Sequence, residues 1–197
     1  DGNIGGGSGA LVNIPLASGL IDGQSHIHKF GATSVDVTTG TVWDGNTGSV
    51  TYSYPDTDTP IVTSTENIGD SVIITGLNEF FQEISEIVAI GDTAVERFSR
   101  VFRAQMLNTT NVADVDISMS GGLAARITAG LAQTLMAVYT VPAGKTAYLL
   151  KLTLGSDKAS TNSAMGYSLM SRNSPLSPFR IKGRLYSAGG QNILQEY

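Results

Sequence analysis

Cysteine is missing from all 197 residues, so neither a disulfide nor a thiolate metal site can hold the fold, and burial and backbone pairing must do so. Charge is scarce too: Asp, Glu, Lys and Arg make up 15% of the chain, which argues against a solvated helical bundle. No apolar run reaches the roughly 18 residues of a helical membrane span, and no basic-then-apolar leader opens the chain. Asp1 stands where a translated chain would begin with Met, and the expectation is a processed or partial chain. Two histidines and one tryptophan leave little for a histidine-rich metal site or an aromatic carbohydrate platform.

Glycine is abundant, at 23 residues, and points to a turn-rich chain that is all-β, as one large domain or two small lobes. The net charge of −5 argues against nucleic-acid binding. Its distribution is more telling. Residues 1–92 hold 12 acids against Lys29 alone, whereas residues 97–184 hold 11 bases against Asp114, Asp116 and Asp157. Either the halves neutralise each other within one fold, or an acidic face of one subunit meets a basic face of the next.

The most regular stretch is Gln133 to Leu154, two apolar runs flanking Pro142-Ala143-Gly144-Lys145. Gly two residues after Pro suits a type II turn, so the spacing predicts a hairpin. Leu135, Ala137, Tyr139 and Val141 would share one face, and Tyr148, Leu150, Leu152 and Leu154 another. Met136, Val138, Ala147 and Leu149 make the opposite faces apolar too, and such a hairpin belongs inside a two-layer structure. Gly144-Lys145-Thr146 ends as a phosphate-binding loop ends, but the required earlier glycine is replaced by Tyr139, which excludes that reading.

Gly5-Gly6-Gly7-Ser8-Gly9 followed by Ala10 to Leu16 reads as a flexible, apolar N-terminal arm over 1–24, able to lie along a neighbour as an added strand. His26 and His28 alternate as a strand-borne chelating pair would, but need carboxylates such as Asp22 or Asp36, and hydrogen-bonded structural histidines explain them more simply. Asp44 to Gly48 and Asp56 to Pro60 read as turns, since the calcium-loop pattern is missing. Strands are expected at 61–65, 71–75, 112–118, 166–170 and 179–186, with Ala124 to Ala129 leading towards the hairpin, and the last strand has Phe179, Ile181 and Leu185 apolar and bases on an outer face. Leu77 to Ile90 is ambiguous, and periodicity alone predicts a helix through Phe80, Phe81, Ile84, Ile87 and Val88. Glu79, Glu83 and Glu86 could suggest paired catalytic carboxylates, but a solvated face accounts for them. Arg97, Arg100 and Arg103 recur every three residues, aligned on a helix and straddling both faces of a strand.

His26-x-His28-Lys29-Phe30-Gly31, Trp43-Asp44-Gly45, Gly76-Leu77-Asn78 with Glu83-Ile84-Ser85-Glu86, and above all Gln133 to Leu149 resemble a family of tailed-bacteriophage virion proteins common in marine and cyanobacterial phages. The resemblance covers most of Ser25 to Tyr186. It implies a non-catalytic β protein displayed on the particle, and strand rather than helix for Glu83 to Ile90. Ala32-Thr33 replaces the expected Arg-Asn after Gly31, and the family continues beyond the position of Tyr197, so a further C-terminal segment is expected.

The combined expectation is an all-β, β-sandwich or jelly-roll-like domain over 25–197, divisible into packed lobes of about 25–118 and 119–197, behind an extended N-terminal arm. The resemblance implies a virion decoration or cement protein assembled in the host cytoplasm, a homo-oligomer bound to the major capsid protein or other virion proteins, and no catalytic residues, cofactor, metal, nucleic acid or membrane are expected. Ile4, Leu11, Val12, Ile14 and Leu16 are the expected arm contacts, and Arg97, Arg100, Arg103, Arg180, Lys182 and Arg184 the expected basic docking face. The alternatives are a tail or fibre component touching host receptor through Thr41 to Asp58, and a carbohydrate-binding module or secreted β-sandwich enzyme.

Overall fold

In the computed structural model of the chain, residues 15–16, 18, 20–33, 40–45, 51–156, 164–188 and 192–196 are described. Ile4, Leu11, Val12, Ile14 and Asp36 lie outside them; Leu16 is half-buried. Among the described residues ten strands form all-antiparallel pairs: β1 (Ile61–Ser64), β2 (Ser71–Leu77), β3 (Glu83–Ala89), β4 (Arg100–Leu107), β5 (Val115–Met119), β6 (Gly122–Ile127), β7 (Lys151–Gly155), β8 (Ala164–Ser171), β9 (Arg180–Ala188) and β10 (Asn192–Glu196). The protein is all-β and β-sandwich-like. It divides into two units, Asp1–Lys145 and Thr146–Tyr197.

The N-terminal unit holds two sheets, ordered β3-β2-β4 and β1-β5-β6. Main-chain bonds widen each. Beyond β4, Met106 N–H donates to Ala132 O at 2.8 Å and Thr134 N–H to Ala104 O at 2.9 Å; the next residues pair with 42–44, with Ala137 N–H donating to Val42 O at 2.8 Å. Beside β1, Val62 N–H donates to Asp92 O at 3.0 Å and Ala94 N–H to Pro60 O at 2.8 Å. Alternation in β2 and β5 sends every second residue inward. Val72 and Ile74 from one sheet, and Val62, Val115, Ile117 and Ile127 from the other, are fully buried with Phe98 and Met136. Each such side chain contributes about 1.5–3 kcal/mol by leaving water.

Three local expectations are corrected. The segment Glu83–Ala89 is strand, as the resemblance implied, and not the helix that periodicity alone predicts. Phe80 and Phe81 belong to the β2–β3 turn, where Asn78 Oδ1 accepts the Phe80 and Gln82 N–H groups at 2.9 Å each, and Ile87 is 57% exposed on the open sheet face. The helical spacing was a coincidence of residues serving different surfaces.

The hairpin over Gln133 to Leu154 does not form either. Its turn does: Lys145 N–H donates to Pro142 O at 3.1 Å, with Gly144 at φ 71°. The flanking runs part at that turn, residues 132–137 pairing with β4 and 42–44, and β7 pairing with β10. Met136 and Val138 are the inward residues of the first run, whereas Ala137 and Val141 are exposed, as are Tyr148, Leu149 and Leu150 of the second.

In β9 the expected outer face is split. Leu169 pairs with Gly183 and Met170 with Ile181, leaving Lys182 as the extra residue of a bulge. Arg184 therefore shares its exposed face with Ile181 and Tyr186, and Arg180 stands on the other.

Candidate interaction surfaces

Two of the motifs quoted for the resemblance, those at 26–31 and 43–45, lie far from the Gln133 to Leu149 stretch in sequence and meet it around Leu135. Asp44 N–H donates to Leu135 O and Leu135 N–H to Asp44 Oδ2, both at 2.9 Å. Gly31 fits between these strands, since a Cβ there would stand 2.7 Å from Val42 O and crowd Ala137 N. Lys29 Nζ donates to Phe102 O and lies 5.6 Å from the Phe102 ring centroid. Arg103 lies 5.6 Å from the Phe30 ring and donates to His28 O at 3.0 Å. These residues knot 28–32 and 42–44 onto β4 and Leu135; the histidines are exposed edges of that knot. Among the described residues no three His, Cys, Asp or Glu side chains gather as metal ligands would.

Burial is the main force on the titrating groups here. It pushes the Lys29 ammonium from its ordinary 10.5 to about 8, helped by Arg103 and opposed by Asp44, and it raises the Asp44 carboxyl against main-chain hydrogen bonds that lower it. Because the folded state sheds the Lys29 proton before the unfolded chain does, stability from this group rises with pH between about 8 and 10.5. Side-chain NMR of Lys29 should give a midpoint near 8; one at its ordinary 10.5 would mean that water reaches the amine freely.

Within the N-terminal unit the arginines of the expected basic face each engage neighbouring groups. A bulge in β4, where Thr75 pairs with Arg103 but Gly76 with Val101, puts Arg100 and Arg103 on the same side despite their spacing of three. Arg100 then stacks 5.0 Å from the Tyr54 ring and 5.5 Å from the Phe81 ring. Arg97 is exposed and donates to Thr57 O at 3.0 Å. Each guanidinium caps a local structure.

Asp114, Asp116 and Glu86 have similar duties. Asp114 and Asp116 line a groove with Thr63, Ser64 and Thr65, and Arg126 Nε lies 2.6 Å from Asp116 Oδ1 and Nη2 2.7 Å from Oδ2. Asp114 Oδ2 is 3.6 Å from the same guanidinium, and these contacts raise the Arg126 pKa, the Asp116 hydrogen bond most. The Glu86 carboxylate accepts the Val95 and Glu96 N–H groups at 2.8 and 2.9 Å and so fixes the loop beside β3. Trp43 and Tyr52 are 3% and 5% exposed, which makes them core residues with no face for a sugar to stack on.

Sequence reasoning missed the largest feature, which lies in the C-terminal unit. Among its described residues Ser187 alone is buried, and no apolar side chain is. Two-stranded pairs, β8-β9 and β10-β7, carry exposed Met170, Ile181, Tyr186 and Leu194, with Leu176 97% and Tyr148 82% exposed in the connections. Isolated two-stranded ribbons are marginal in water. No protein-family model matches this chain, and no curated protein or solved structure matches it.

Proposed function

We propose that the chain is a structural protein of a tailed-bacteriophage particle, a decoration or cement subunit that oligomerises on the head shell and clamps neighbouring capsid proteins. The observation that carries its class, an assembling subunit and not a catalyst, is the C-terminal unit whose apolar side chains stay in contact with solvent. Burying them against other subunits would supply the area that stable assembly needs. The placement on a phage rests on the resemblance carried by Gln133 to Leu149 and by the shorter motifs, of which those at 26–31 and 43–45 meet that stretch around Leu135. Those residues knit backbone to backbone, as a mechanical part requires.

Copy number tests the placement. Purified virions analysed by quantitative densitometry should contain the chain on the order of hundreds of copies, as a part following shell symmetry does. A small multiple of three or six would assign it to the tail, and its absence from particles would end the reading. Deleting Asp1 to Gly19 should lower occupancy on particles if the arm contributes to docking.

A further inference from the structure

The two units carry opposite charge. Asp1–Lys145 holds 15 acids and 6 bases, net −9, and Thr146–Tyr197 holds 2 acids and 6 bases, net +4. In each unit the excess reaches a strand at the edge of its sheet. β3 ends the β3-β2-β4 sheet and shows Glu83, Ser85 and Ile87 to solvent, preceded by exposed Glu79 and Phe80. β9 pairs with β8 alone among the described strands and exposes Arg180, Ile181, Lys182, Arg184 and Tyr186. Among the described residues no ion pair involves Glu79, Glu83, Arg180, Lys182 or Arg184. An edge strand with free backbone groups and exposed apolar side chains is a template for another strand.

We propose that β9 of one copy adds antiparallel to β3 of a second copy, joining the acidic and basic edges in one intermolecular sheet. Charge selects this pairing: β3 against β3 would oppose glutamates, and β9 against β9 would oppose arginines and a lysine. The β9 bulge fits the register. Counting Ile181 and Lys182 as two residues facing one, Arg184 opposite Glu83 puts Arg180 opposite Glu86 and Phe179 opposite Ile87. Phe179 and Ile87 are 38% and 57% exposed, so the apolar pair has surface to bury. Each copy uses two different edges, which makes the contact head-to-tail and lets copies form a ring where the rotation closes. The inference rests on the reading of the chain as a self-assembling subunit, but not on which particle carries it.

Sedimentation of the purified full chain tests it through charge reversal. The native protein should associate, and more weakly as salt rises from about 20 to 500 mM, where screening shortens to a few ångströms. Glu83→Lys and Arg184→Glu should each weaken association by about tenfold or more, because both create like-charge neighbours. Mixing the two variants should restore it, since each then offers the edge that the other lacks; both positions are exposed, and circular dichroism confirms folding. The proposal falls if the native chain is monomeric at low salt, if neither reversal weakens association, or if the mixture associates no better than its components. Those failures would leave the copy number on virions, and so the virion reading, untouched.

Discussion

Gly76→Ala is expected to destabilise the N-terminal unit by about 3 kcal/mol or more, lowering its melting temperature by on the order of 10 °C. Gly76 sits in β2 where the pairing with β4 shifts by one residue, between Thr75 and Gly76. A Cβ there would overlap the Arg100 carbonyl oxygen and stand 2.8 Å from Phe98 Cδ1. Phe98 is fully buried and cannot turn aside, and the carbonyl can retreat only by opening the β2–β4 ladder. Thr75→Ala on the open face removes one exposed side-chain hydrogen bond to Ser85 and should cost less than about 1 kcal/mol. Urea unfolding of the two variants separates the explanations: equal, small losses would mean that the bulge has room, and that close approach is not why glycine is needed.

Asn111 gives the second large effect. It is 1% exposed, and its Nδ2 donates to the Ala113, Ile127 and Thr128 carbonyls at 2.8, 3.1 and 3.0 Å. Its Oδ1 accepts the Ala132 N–H at 3.0 Å, so one side chain ties the entry to β5, the exit of β6 and the segment that joins β4. Asn111→Leu strands several main-chain groups, each costing about 1–3 kcal/mol when buried without a partner, and a total loss of about 3–5 kcal/mol is expected in denaturant unfolding. Asn111→Asp supplies a control on chemistry. An ionised carboxylate would face carbonyl oxygens, which raises its folded-state pKa, so the stability of this variant should be greater at low pH and fall as pH rises. A loss of the same size at every pH would assign the residue to packing alone.

How much of this was readable varies with the kind of signal. Strands β1, β2, β5, β8 and β9 announced themselves through alternation, because a half-buried strand sorts its side chains with a period of two. The turn at Pro142 to Lys145 was equally local, needing only a proline, a glycine and their allowed dihedrals. What the runs beside that turn pair with was not local. Met136 gains a fully buried place by joining residues 42–44 and the neighbourhood of β4, and burial of that kind outweighs the short loop closure that a hairpin would offer. The arginines show the same division. Their spacing was visible, but whether Arg100 and Arg103 share a face depends on a bulge that exists only in the pairing of β2 with β4.

The amino-acid order determined that this chain is all-β, that it relies on no cysteine, and that acid and base are segregated along it, because composition and alternation act within a few residues. Which edges stay open, which motifs meet at Leu135, and that the C-terminal strands keep their apolar side chains in water were decided by the tertiary structure. Strand pairing joins residues far apart in sequence through backbone groups that every residue carries, so partner and register emerge only when the whole set of faces is buried together.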